Sequence, residues 1–227
     1  WCLRSGWDRN ADYLHFKCGS LGGGHGHFDK LHVDLSIAGE DVLIDSGRYT
    51  YVDGSLRRQL KSSCAHNVPV VDWQEYTQCT GSWDVKGRTA PAGQDWSQKG
   101  PYTFLQGTHL GYLPAGILVN RRIISIGTRI HVIADEFYGT GTHVLSQVFH
   151  LNPAGSVEMR EDAEFELETC RRTVLEQFKK ETLDDLGMEG QDQAVSALGA
   201  LLNYLKDTQR KVPLKINRIE NYTQAQF

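Results

Sequence analysis

The spacing of apolar residues changes character near residue 160. Before that point they come in short runs with a period of two. Leu31, Val33, Leu35 and Ile37 alternate with His32, Asp34 and Ser36, the pattern of a half-buried antiparallel strand. Ala38-Gly39-Glu40-Asp41 follows as a hairpin turn. The same reading predicts strands over 12–19, 31–38, 41–45, 68–71, 102–106, 119–126, 129–135 and 144–151. The polar, Gly- and Trp-containing stretch 80–100 reads as a long surface loop. Regular short strands with turn residues between them and almost no helical period predict an antiparallel β-sandwich.

After residue 160 the period becomes helical. Phe165, Leu167, Cys170, Val174 and Phe178 recur on one face, as do Ala194, Leu198, Leu201 and Leu205. Helices are predicted over 164–179 and 191–209, with Gly187 and Gly190 between them. Pro213 lies past the second, where a helix can no longer continue, and a strand is predicted over 214–222. The expected architecture is mainly β, a sandwich over 1–160 followed by a short α-helical (α/β) segment over 161–227.

Composition sharpens that division. All five Trp precede Gly100, and 20 of the 23 Gly lie within residues 1–160. That part carries 15 basic and 15 acidic residues, whereas 161–227 carry 9 and 13, the whole net charge of -4. No run of about 18 apolar residues predicts a membrane span, and no basic patch marks a nucleic-acid surface. The chain starts at Trp1 with no leader pattern, which reads as a processed protein or a fragment. The cysteines have no CxxC spacing and read mostly as buried thiols.

Chemistry concentrates in Gly22-Gly23-Gly24-His25-Gly26-His27-Phe28-Asp29. On an extended backbone His25 and His27 point the same way. The glycines allow a large polar substrate to come close to the backbone. Asp45 and His66 follow at spacings of eighteen and twenty-one residues. His27, Asp45 and His66 make a plausible His2Asp shell for zinc, which accepts imidazole and carboxylate ligands. The same histidines also read as hydrogen-bonded sandwich residues. His25 can act as a proton-transfer group in a cleft, or be a solvated loop residue. Arg48, Arg57 and Arg58 can bind carboxylate or sulfate through a planar fork, Arg57 reading more readily as part of a solvated basic face. Tyr49 and Tyr51 alternate and can flank the cleft. His15, His32, His109, His131, His143 and His150 have no organised spacing and receive no chemistry.

The strings His25-Gly-His-Phe-Asp-Lys-Leu-His-Val-Asp-Leu, Leu43-Ile-Asp-Ser-Gly-Arg-Tyr-Thr-Tyr, Arg58 and Ala65-His-Asn-Val-Pro-Val-Val-Asp occur in the order found in the heparinase II/III polysaccharide lyases, and residues 1–160 resemble the C-terminal sandwich of that family. The resemblance implies β-elimination on acidic, uronate-containing polysaccharides. It implies His25 as the sandwich-borne catalytic histidine, and His27, Asp45 and His66 as ligands of a metal, zinc in most members. Arg48, Arg58 and Tyr49 would contact substrate. It also implies an (α/α) toroid carrying the catalytic Tyr, for which these residues hold no counterpart; a sandwich by itself would hold half a site.

Residues 164–227 resemble a different family. Phe165-Glu-Leu-Glu-Thr-Cys-Arg-Arg, Leu183-Asp-Asp-Leu-Gly and Ala197-Leu-Gly-Ala-Leu-Leu-Asn-Tyr-Leu-Lys-Asp-Thr-Gln are similar to the connector and lever region of the mismatch-repair protein MutS. The segment has no GxxxxGK[ST] and no mismatch-reading residues, so no direct DNA binding is expected of it. The chain reads as a composite of two fragments. Three functions follow: a lyase sandwich, a structural piece of a MutS-type protein, or a non-catalytic carbohydrate-binding sandwich. The first implies a periplasmic or extracellular location, the second a cytoplasmic one.

Overall fold

The computed structural model describes residues 1–21, 24–87 and 89–155. The helices predicted over 164–179 and 191–209, the strand over 214–222 and the boundary near residue 160 lie outside the described residues.

β1 (Cys2–Arg4), β2 (Tyr13–Lys17), β3 (His32–Ile37) and β4 (Glu40–Leu43) form one antiparallel sheet in that order. A short helix, α1 (Ser55–Lys61), and β5 (Pro69–Val71) follow. β6 (Gln78–Cys79) and β7 (Val85–Lys86) form a small hairpin. β8 (Pro91–Lys99), β9 (Tyr102–His109), β10 (Ile117–Ile126) and β11 (Ile130–Gly139) make a second four-stranded antiparallel sheet, ordered β11-β10-β9-β8. β12 (Leu145–Gln147) pairs with β5.

The predicted alternation is what builds the core. Leu14 and Phe16 of β2 and Val33 of β3 join Leu105 of β9 and Val119 and Ile123 of β10 in one buried cluster. Leu105 shares its face of β9 with Gly107, where the sheets approach closely. A Cβ at 107 would come 2.5 Å from Cys18 Sγ and 2.8 Å from Leu31 Cδ2. The β3–β4 turn adopts the conformation its residues predict, with φ of 53° at Ala38 and 80° at Gly39, as a two-residue hairpin requires.

One buried ion pair ties the second sheet to the loops that carry the site. Arg121 is fully buried and grips Asp135 with two parallel bonds of 2.6 and 2.7 Å. Its Nη1 donates to the carbonyls of Leu31, at 2.7 Å, and Asn67, at 2.6 Å.

Three sequence readings need correction. The stretch 80–100 is not a plain loop: it contains β7 and all of β8. β8 is an edge strand whose residues are largely exposed on both faces, so it carries no apolar alternation. α1 escaped notice for a related reason: what it buries fully is Arg57 and Lys61 rather than an apolar stripe. The last predicted strand, 144–151, is shorter as β12, with Leu151 making an isolated bridge to Leu43.

Candidate metal centre and cleft

The glycine-rich loop, α1 and the segment after β4 converge at one end of the first sheet. Gly26 is required between the two histidines, since a Cβ there would sit 1.9 Å from the Leu21 carbonyl oxygen. The segment from Gly24 to His27 is turn and coil rather than strand, so His25 and His27 are not placed by strand alternation. They still reach one region: His25 packs on Tyr51, His27 bonds Arg57, and the Arg57 guanidinium lies 5.2 Å from the Tyr51 ring. Arg57 is fully buried, which corrects its reading as part of a solvated face.

His66 and Asn67 follow α1. Asn67 uses all its polar groups. Its amide N–H donates to His32 Nδ1 at 2.9 Å, and its Nδ2 donates to the carbonyls of Val33, at 2.8 Å, and Ile44, at 3.0 Å. Its Oδ1 accepts the His150 N–H at 2.5 Å, and its carbonyl accepts from Arg121 at 2.6 Å. The turn that carries His66 is thereby fixed to β3, to the residues after β4 and to β10.

These bonds assign the protons. A backbone amide can only donate, so His32 Nδ1 accepts and the proton of the neutral ring is on Nε2. That N–H donates to Asp34 Oδ1 at 2.8 Å and lies 3.6 Å from Asp45 Oδ2. Asp34 also bonds His15 at 3.1 Å. Asp45 Oδ2 accepts from His66 Nδ1 at 2.6 Å, and Asp45 Oδ1 accepts the Gly47 N–H at 2.7 Å. The neutral form of His66 therefore has its lone pair on Nε2, an atom buried with no hydrogen-bond partner. The His27 ring lies 5.2 Å from the His66 ring.

Among the described residues, His32, Asp45 and His66 form a group with ligand atoms all within 4.8 Å of one another. His27 lies beside it. The sequence reading gave His32 no role; the signal was its alternation with Asp34, which puts imidazole and carboxylate on one face of β3. His32 and His27 differ as ligands. His32's lone pair is held by a backbone amide that the other Asn67 bonds fix in place. His27's lone pair, on Nε2, accepts from Arg57 Nη1 at 3.1 Å. Arg57 is a side chain whose Nε and Nη2 are buried without partners, so His27 can exchange its partner more readily.

The electrostatics follow from burial. Burial, then the neighbouring His66, pushes His27 down to about 4, so it is neutral and competent as a ligand at neutral pH. Burial pushes the Asp45 carboxyl up, but the His66 hydrogen bond and charge and the Gly47 N–H outweigh it and leave Asp45 below its ordinary value.

Of the other expected site residues, His25 and Arg48 meet at Tyr51, whereas no contact among the described residues brings Arg58 to this centre. His25 is exposed; its Nδ1 lies 2.9 Å from the Tyr51 hydroxyl, while Nε2 has no hydrogen-bond partner among the described residues. Arg48 stacks on Tyr51, its guanidinium 4.2 Å from the ring centroid. Arg58 is held by Asp53 at 2.7 Å on the surface. Tyr49 is 71% exposed, with φ of 53°.

The comparisons with known proteins agree with this architecture. The family described as Heparinase II/III-like, C-terminal, matches residues 3–193, past the point where the sequence changes texture. Heparan sulfate lyase HepC of Pedobacter heparinus superposes with a TM-score of 0.55 at 22% identity, covering 66% of this chain and 22% of that one. A heparinase III superposes at 0.59 with 19% identity, covering 71% and 24%.

A second likeness is to MutS. The Nostoc punctiforme protein is 34% identical over 77 residues, 34% of this chain and 9% of that protein. The Dehalococcoides mccartyi protein is 38% identical over 63 residues, 28% and 7%. The chain thus spans about a tenth or less of the curated relatives it matches, and about a quarter of the solved lyases. Two unrelated likenesses fall on one chain, as its sequence leads one to expect of a composite. With an antiparallel sandwich in common with the solved heparinases and a family match over most of its length, the chain belongs to the heparinase II/III-like C-terminal family.

Proposed function

We propose that residues 1–160 are the sandwich part of a polysaccharide lyase that cleaves uronic-acid glycans by β-elimination, and that alone they bind acidic glycan without cleaving it. The observation that carries this reading is the pairing of two unlike histidines. His66 Nε2 is buried and unpartnered beside His27 and Asp45, whereas His25 is exposed and its Nε2 has no hydrogen-bond partner among the described residues. The first suits a metal and the second a proton transfer.

In β-elimination a base removes the C5 proton of the uronate. The electron pair forms the C4–C5 double bond, the C4–O bond breaks, and the leaving oxygen takes a proton. His25 would exchange one of these protons at Nε2, with Tyr51 orienting the ring through Nδ1. Arg48, Arg58 and Tyr49 would meet the carboxylate, and neutralising it is what acidifies the C5 proton. The remaining groups would come from a toroid domain of the kind the family carries.

His27, Asp45 and His66 would hold a divalent ion, zinc by preference for its imidazole and carboxylate ligands. The residues fit: the His27 imidazole is neutral, His66 Nε2 has no hydrogen-bond partner, and each Asp45 oxygen keeps a second lone pair. The ion would supply a cross-link between the glycine loop, the end of β4 and the turn after α1. His32 would orient Asp45 from behind, as a carboxylate's own hydrogen bonds do in metal sites.

The test joins the full chain to a toroid domain from a family member and follows the absorbance of unsaturated uronide. Turnover that falls at least about a hundredfold in His25→Ala, with an unchanged melting temperature, is expected of a proton-transfer group. Unchanged turnover removes His25 from the mechanism.

The location this function requires is periplasmic or extracellular, and no helix among the described residues is long and apolar enough to cross a membrane. For the MutS-like segment we propose a structural role without DNA binding, since its excess of acidic residues opposes phosphate contact.

A further inference from the structure

We propose that the indole of Trp83 is a sugar-stacking platform beside His25, shaped for a pyranose ring of an acidic glycan. The proposal rests on the lyase reading for the class of glycan but not for the place where it binds.

Trp83 sits at the tip of the β6–β7 hairpin. Thr80 N–H closes that tip on the Asp84 carbonyl at 3.0 Å, and Thr77 Oγ1 anchors its base to the Lys86 carbonyl at 2.9 Å. What places the tip is Lys61, a fully buried ammonium at the end of α1. Its Nζ donates to the Ser82 carbonyl and to the Gly24 carbonyl, each at 3.2 Å. One buried charge thus pins the hairpin to the histidine loop. The contact is tight: a Cβ on residue 24 would meet the Trp83 carbonyl oxygen at 3.0 Å and the ring at 3.1 Å.

Trp83 nevertheless remains 47% exposed. A single exposed Trp would call for no explanation. Here it is one layer of an ordered stack. Trp83 lies on Tyr51 with centroids 4.9 Å apart and planes 22° apart, and Arg48 covers the Tyr51 ring from 4.2 Å. His25 meets both aromatic rings edge-on, at 5.0 and 5.1 Å. Arg48 has no acidic partner among the described residues.

This combination matches one kind of ligand. A pyranose presents a face of weakly positive C–H groups, complementary to the negative face of an indole. Across the thickness of the Tyr51 ring, the uncompensated guanidinium suits a carboxylate or sulfate on another sugar of the same glycan chain. A ring laid on Trp83 comes within reach of His25. A bare apolar ligand would have no use for Arg48, and a bare anion none for the indole.

The experiment uses the full chain labelled with 15N, with unsulfated glucuronate–N-acetylglucosamine hexasaccharide as probe and maltohexaose as the neutral control. The uronate probe should move the Trp83 indole N–H resonance, identified by its loss in Trp83→Phe, and maltohexaose should move it less. Trp83→Ala should bind the uronate probe at least about tenfold more weakly, Trp83→Phe should retain most of the affinity, and Arg48→Gln should remove the preference over maltohexaose. Melting temperatures would establish that the variants are folded. The proposal is overturned if the Trp83 resonance stays still while others move, if Trp83→Ala binds like the parent, or if the uronate probe does not bind. Binding at Trp83 without turnover in the toroid fusion would sink the lyase reading and keep the platform. Turnover that is indifferent to Trp83→Ala would do the reverse.

Discussion

At the scale of single residues, the distinction that matters is which nitrogen holds a proton. His25, His27, Asp45 and His66 stand out in the sequence as candidates because three of them lie in Gly- and Asp-rich strings and because those strings carry a family resemblance. His32 and Asn67 were not. Their roles come from a bond between residues 35 positions apart, which no local pattern reveals. Asn67→Ala would remove both side-chain donations and strand the His150 amide. A cost of about 3–5 kcal/mol is expected from lost and unsatisfied hydrogen bonds, measured by urea unfolding. A loss below about 1 kcal/mol would mean that Asn67 is not the hub its contacts suggest.

At the scale of elements, the strands that alternate were readable and those that do not were missed. β2 and β9 bury every second residue, and β3 and β10 contribute Val33, Ile117, Val119 and Ile123 to the core from alternating apolar positions, so period two identifies them. β8 has no buried face and α1 buries cations, so neither has an apolar signature. Two variants test the packing. Gly107→Ala forces a methyl into the space of Cys18 and Leu31 and should cost about 1–3 kcal/mol, read as a shift of the urea midpoint at constant slope. Arg121→Leu strands the nearly buried Asp135 carboxylate and should cost about 3–5 kcal/mol. Adding Asp135→Leu should recover much of that loss; failure to recover would show that the bonds from Arg121 to Leu31 and Asn67 matter more than the ion pair.

At the scale of the whole molecule, burial of His109 gives stability a pH dependence. His109 packs against Tyr76 and Tyr112, and burial, then the nearby Lys30 charge, pushes it down to about 3. Its Nδ1 accepts the Gly111 N–H at 3.1 Å, so the buried ring is neutral. The unfolded chain binds a proton at His109 below about pH 6.5, and the folded chain does so only below about pH 3. Its contribution is therefore complete above about pH 6.5 and is lost as pH falls through that window, by at most about 1.4 kcal/mol per pH unit. Unfolding measured from pH 7 to pH 4 should show a shallower decline in His109→Phe. An equal decline would assign the dependence to other groups.

The same scale holds the central claim, that three separate segments of the chain converge on one divalent cation. Family membership and the sandwich were both foreshadowed in the sequence, but convergence depends on distances between loops that the sequence does not contain. The most direct measurement is zinc stoichiometry and affinity of the full chain, by competition with a chromophoric chelator. One zinc per chain is expected. His66→Gln should abolish it and Asp45→Asn should weaken it. His32→Gln should keep the stoichiometry while lowering affinity about 10–100-fold, as loss of an orienting hydrogen bond does. Absence of zinc binding, or binding that His66→Gln leaves unchanged, would contradict the account.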